Sequence, residues 1–212
     1  MIHENVVKAN EIIGNDAVKA LKRRGFEAEY VPTGADALRR ILEIIPVSAS
    51  VGIPGTVTVR DIGALEALKE RGNIVYQHWG KMTPAETREA RFKENEADVF
   101  LTSANALTRD GQIINIDGTG NRVAGMAWGN GLVLFVIGIN KLSFSLEDGI
   151  KRAQAATIPN AIRQNVETAC VKAGHCVHCL NEDSMCRAIL ILNQAVKGRK
   201  YHVIIVGEDL GY

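Results

Sequence analysis

A chain of 212 residues with 46% hydrophobic content can bury a full core and fits one domain of ordinary to large size. Its 25 basic and 24 acidic residues are evenly mixed and leave a net charge of +1, so there is no electrostatic footprint for nucleic acid or an anionic membrane, and neither is an expected partner. The N-terminal stretch MIHENVVKANEII lacks an apolar signal core, and the longest apolar run, Gly131 to Ile139, is too short to span a bilayer; a soluble cytoplasmic protein is expected.

In chain order, Val6, Val7, Ile12, Ile13, Val18 and Leu21 recur at helical spacing up to Arg24, where Gly25 supplies a stop. Phe26 to Val31 reads as a strand, and Ala35 to Ile45 as a helix opened by Thr33 and closed before Pro46. Val47 to Ile53 reads as a short buried strand running into the loop IPGTVT, with a helix from Val59 to Arg71. Ile74 to Tyr76 is a predicted strand, Pro84 to Glu94 a charged surface helix with Pro in its first turn, and Asp98 to Ser103 a strand. Gln112 to Ile116 is another, followed by the glycine-rich DGTGNR. Leu132 to Ile139 has the composition of a buried parallel strand, Leu146 to Ala156 is helical, and Val203 to Val206 is a last strand. Strands separated by helical crossovers predict an α/β fold, a mostly parallel open sheet flanked by helices, built by residues 1–212 as a single domain.

In such sheets ligands sit beyond the carboxyl ends of the strands, so loops that leave a strand and enter a helix carry functional weight. The first such loop offers Gly55 for close backbone approach, Thr56 and Thr58 as hydroxyl donors, and a helix N-terminus whose free amides attract an anion. A plain turn with Thr58 as N-cap is the bland alternative. In the second, Gly118 and Gly120 let backbone amides approach an oxyanion, Thr119 and Asn121 add polar groups, and Arg122 can grip it bidentately. This is no Rossmann fingerprint, since Val123 stands where a third glycine is needed, and no Walker lysine is present. The bland alternative has Asp117 and Asn121 capping a turn and Arg122 pairing with a surface acid. Between the loops, Ser103 and Asn105 stand at a strand's end, and Asn105 and Asp117 are candidates for orienting a sugar or acyl substrate. His78 and Trp79 precede a loop, fit a pocket rim, and receive no catalytic role.

All four cysteines lie between Cys170 and Cys186, spaced C-x5-C-x2-C-x6-C, within a segment spanning 165–190. The Cys176-Val177-His178-Cys179 pair lets two thiolates face one metal, and Cys170 and Cys186 complete a four-thiolate site. A [4Fe-4S] cluster and zinc both suit four thiolates, and the spacing does not separate them. His175 and His178 are substitute ligands. Two disulfides or four inert thiols are the bland alternative, which a reducing compartment disfavours.

The segments ADVFLTSANALTRDGQIINIDGTGNRVAG, VLFVIGINKL, VGIPGTVTVRDIGALEAL and Pro159 to Arg163, leading to the cysteines, resemble the LUD-domain family associated with lactate utilisation, in a short, lactate utilisation protein C-like form with a four-cysteine tail. The resemblance implies the fold of the glucosamine-phosphate deaminase, ribose-phosphate isomerase and CoA-transferase superfamily. It further implies a part in oxidising a 2-hydroxy acid such as lactate, with iron-sulfur partner proteins; the ligand expected at the Gly55–Thr58 and Gly118–Arg122 loops is a small anionic metabolite. SANALTRDGQIINIDGT is similar to a pattern of methylthioribose-phosphate isomerases, with Asn105 where those enzymes carry an aspartate. An amide is no proton-transferring base, which argues against isomerase chemistry, and no glutamate is seen that would form an acyl-CoA intermediate. Asn105, Asp117 and Lys141 of the Gly138-x-Asn-Lys motif remain the catalytic candidates. A cluster would relay electrons, with Lys172, His175 and His178 tuning its potential; zinc would be a structural staple of a non-catalytic binding or regulatory module. A sugar-phosphate or CoA-ester enzyme is a third reading, and homo-oligomers fit all three.

Overall fold

Residues 3–129 and 131–212 are described by the computed structural model; Met1 and Ile2, which open the N-terminal stretch, and Asn130 lie outside them. The apolar spacing of the N-terminal segment becomes α1 (Glu4–Arg23), which buries Gly14, Ala17, Val18, Ala20 and Leu21. Gly25 at φ +82° turns the chain into β1 (Glu27–Val31). Then α2 (Gly34–Ile44) begins at Thr33, whose side chain accepts from the Asp36 amide.

Two expectations for the next stretch are corrected. The strand expected over 47–53 shrinks to β2 (Val51–Gly52), because Asn73 Nδ2 donates to the carbonyls of Pro46, Val47 and Ala49 and ties that segment into a turn. The helix expected over 59–71 breaks into α3 (Val57–Asp61) and α4 (Ala64–Glu70) at Gly63, which adopts left-handed φ +72°. Beyond β3 (Val75–Tyr76), α5 (Pro84–Glu96) starts with a capping box between Thr83 and Glu86.

The second half contains β4 (Val99–Thr102), β5 (Ala106–Thr108), β6 (Ile113–Asp117), α6 (Asn121–Ala127), β7 (Leu132–Gly138), a 3-10 turn at Ile139–Lys141, β8 (Leu142–Ser143), α7 (Leu146–Arg163), α8 (Ala169–Ala173), β9 (Ala188–Leu192) and β10 (Tyr201–Val206). Six strands form a parallel sheet in the order β1-β10-β7-β4-β2-β3. Its central strands alternate: Val133, Phe135, Ile137, Val203 and Ile205 join α1 in one core. Leu134, Val136, Ile204 and Val206 meet α2, α3 and α4 in the other.

β6 does not belong to that sheet. It lies in a second sheet, β8-β5-β6-β9, antiparallel to both β5 and β9. Ile113 faces the first core, while Ile114 and Ile116 face Ala153 and Ile150 of α7. β6, Ile-Ile-Asn-Ile-Asp, is buried on both sides, so its burial does not alternate and does not tell the two sheets apart. α7 also runs past the expected end at Ala156, through Pro159, with Ala156, Thr157 and Ala161 buried on either side of the proline. Among the described residues no helix is long and apolar enough to cross a membrane.

Candidate functional site

Beyond the carboxyl ends of β2 and β6, the Gly55 loop, the Asp117–Arg122 turn and the end of α7 enclose a cleft of about 460 Å³. Of the loop residues picked out by sequence, Gly55, Asn105, Asp117, Gly118, Thr119, Asn121 and Arg122 line it. Thr56 and Thr58 do not. Thr56 is the buried N-cap residue of α3 without a side-chain cap bond, and the Thr58 hydroxyl accepts from Lys141 Nζ at 2.7 Å. Gly120 faces a neighbouring groove of about 330 Å³ beside α5.

Asp117 Oδ2 accepts from the backbone amides of Arg122 (2.9 Å) and Val123 (3.3 Å), so a carboxylate of the chain itself occupies the start of α6. Thr119 donates to Asn121 Oδ1 at 2.6 Å. Arg122 donates to the Ile116 carbonyl and lies 3.7 Å from Asp117. What this loop offers the cleft is therefore the guanidinium of Arg122 rather than open amides. Asn105 Oδ1 accepts from the Ile116 amide at 2.9 Å, a bond that stitches β5 to β6. Arg152 donates to the Asn105 carbonyl from behind.

Sequence reasoning left out two further arginines of the cleft. Arg91 reaches it from α5 and Arg163 from the extended end of α7. Arg163 lies 4.5 Å from the centre of the Trp79 ring, and Arg60 lies 3.7 Å from the same ring, so one indole carries two guanidiniums. Burial lowers the pKa of both Arg60 and Arg163. The Nε atoms of Arg91 and Arg163 and the Nδ2 of Asn121 are buried without a partner. Also missed was Glu94, at 0% exposure and 2.6 Å from His78 Nδ1. Burial pushes its carboxyl up, with His78 pulling the other way. A signal existed: Thr87, Arg91 and Glu94 stand at i, i+4 and i+7, one polar stripe of α5 that faces inward. Arg163 ends the Pro159–Arg163 segment already singled out.

Lys141, 3% exposed, donates from Nζ to Thr58 Oγ1 (2.7 Å) and Ser103 Oγ (3.0 Å), joining the first loop to the end of β4. Burial, and after it the charge of Arg152, lowers its pKa to about 7.

The four cysteines are free. Cys170 is buried with Sγ 2.9 Å from Thr168 Oγ1, and the Cys186 thiol donates to Thr157 Oγ1 at 3.5 Å. Burial pushes the Cys186 thiol up, with the Thr157 hydrogen bond pulling the other way. Among the described residues no three His, Cys, Asp or Glu side chains are gathered as a metal-ligand group. His175 and His178 are exposed, and Lys172 pairs with Glu167 at 3.5 Å. Thr157, Ser184 and Met185 line the cleft, so the cysteine segment forms one of its walls.

The profile of the LUD domain matches residues 15–206. No curated protein matches the sequence. The crystal structure of a DUF162 family protein from Deinococcus radiodurans is similar at a TM-score of 0.54 and 12% identity, over 93% of this chain and 98% of that one, a likeness of fold.

Proposed function

The chain belongs to the LUD-domain family, and from that footing we propose that its cleft binds a small anionic metabolite, carboxylate- or phosphate-bearing, as an iron-sulfur-associated component of 2-hydroxy-acid oxidation such as that of lactate. The observation that carries the reading is the convergence of Arg91, Arg122 and Arg163 on one cleft whose acidic group, Asp117, caps the amides of α6 and pairs with Arg122, so that among the described residues Arg91 and Arg163 have no carboxylate partner. Guanidiniums meet carboxylate and phosphate oxygens through paired donors.

The donor set suits a metal centre. The four cysteines are free and lie on one segment, and thiolates are the ligand type that iron-sulfur clusters and zinc share. Cys170, Cys176, Cys179 and Cys186 would hold the centre. An iron-sulfur cluster supplies one-electron transfer to a redox partner protein, and zinc supplies a structural staple. The chain's own residues bind and orient the anion beside that wall.

Titration calorimetry with inorganic phosphate and with lactate tests the anion reading. Wild-type protein is expected to bind at least one of them, Arg163→Ala to bind it about tenfold more weakly or worse, and Arg122→Ala to weaken it in the same direction. Absence of binding to both anions in the wild type, or full affinity in both variants, overturns it.

A further inference from the structure

His78 is the one imidazole in the cleft, and the arginines leave its outer nitrogen unused. Its Nδ1 sits 2.6 Å from the Oε1 of the fully buried Glu94. An Nδ1–H donated to a carboxylate fixes both the ring's orientation and its tautomer, leaving Nε2 as an acceptor. Nε2 looks across Gly55: a Cβ built there would lie 3.6 Å from it and 3.2 Å from Trp79 Nε1. The absent side chain thus keeps this edge open to the cleft. Among the described residues Nε2 has no hydrogen-bond partner, Nδ1 alone being engaged.

The charged groups around the ring are Glu94 and Arg91 from α5, Arg60 from α3 and Arg163 from α7, the last two stacked on the adjacent Trp79. Burial pushes the Glu94 carboxyl up, and the hydrogen bond and charge of His78, then the charge of Arg91, favour its ionised form. Arginine donates and never accepts. A bare anion therefore satisfies the guanidiniums and finds no use for Nε2, whereas an anion that also carries a hydroxyl satisfies both.

We infer that His78, oriented by Glu94, is the specificity group of this cleft, its Nε2 accepting a hydrogen bond from a hydroxyl adjacent to the ligand's anionic group. The site then selects hydroxy carboxylates or hydroxylated phosphate esters over their deoxy counterparts. This rests on the anion reading of the same cleft and adds to it the residue that reads the ligand's hydroxyl.

Calorimetry on the full chain compares lactate with propionate and glycerol 3-phosphate with propyl phosphate. The hydroxylated member of one pair is expected to bind at least about tenfold tighter, because a polar group built to meet a hydroxyl is left unpaired by the analogue without one. The pair that shows the preference identifies whether the anion is a carboxylate or a phosphate. His78→Asn keeps a donor where Nδ1 stood and removes Nε2; it is expected to bring the ratio to about one with the deoxy anion still bound. A preference that survives His78→Asn overturns the assignment. So does a wild-type ratio near one in both pairs, which decides the matter even if the variant fails to fold. If none of the four ligands binds, the anion reading itself has failed; if they bind without discrimination, only the role of His78 has.

Discussion

Burying an amine is tolerable when it is neutral or fully hydrogen-bonded. Lys141 has two hydroxyl partners and a pKa lowered by burial from 10.5 to about 7. The folded value lies below the unfolded one, so between about 7 and 10.5 the unfolded chain binds more protons and stability rises with pH. The destabilisation from protonating the buried amine is complete below about 7. At about 1.4 kcal/mol per unit, the climb from pH 7 to pH 9 is worth roughly 2 kcal/mol. Urea unfolding of wild type and Lys141→Met at the two pH values checks this. Taking the difference between the two proteins removes the opposing contribution of Cys186, whose thiol pKa is raised. The stability gap in favour of Lys141→Met is expected to shrink as pH rises, and a gap that stays constant rejects the buried-amine account. At this scale the sequence marks Lys141 through its motif, yet says nothing of its burial. His78 reads as a rim residue because its partner, Glu94, comes from a helix sixteen positions away that looks exposed.

At the scale of elements, the approach of α5 to β2 sets where Arg91 and Glu94 stand. A Cβ on Gly52 would meet the Glu94 carbonyl oxygen at 2.0 Å, backbone against backbone, with no side chain able to yield. Gly52→Ala is expected to destabilise by about 1–3 kcal/mol through overpacking. In a chain of this size that lowers Tm by roughly 2–4 °C per kcal/mol. Because α5 must move, phosphate affinity should fall along with Tm; an alanine variant with unchanged Tm and affinity contradicts the packing argument. The glycine itself is plain in the sequence, but its neighbour is not, since the charged character of α5 hides the inward stripe of Thr87, Arg91 and Glu94.

For the whole molecule, the point of interest is that the cysteine segment walls the cleft through Ser184 and Met185, with Cys186 bonded to Thr157 on the same lining. Metal content and anion binding are thereby expected to be linked. Cys176→Ser and Cys179→Ser should each lose most of the iron or zinc in anaerobically prepared protein, and full occupancy in both excludes these residues as ligands. A brown chromophore with broad visible absorbance identifies a cluster, and colourless protein with stoichiometric zinc identifies a staple. Chelation of the wild type should also change its phosphate affinity, because the thiols that relax carry a wall of the cleft with them; identical affinity with and without metal separates the two sites.

Periodicity is a local property, so α1, α2 and the cores of the parallel strands can be read from the order of apolar residues alone. So can family membership, carried by contiguous motifs, and the clustering of the four cysteines. Three things depended on tertiary structure. One was the second sheet, because β5 and β8 are too short to show a period and β6 is buried on both faces. Another was the pairing of His78 with the buried Glu94, sixteen residues apart. The last was the arginine cleft, assembled from α5, α6 and α7 by contacts between residues far apart in the chain. Spacing along a sequence records which face of an element is buried, and only packing decides what that face meets.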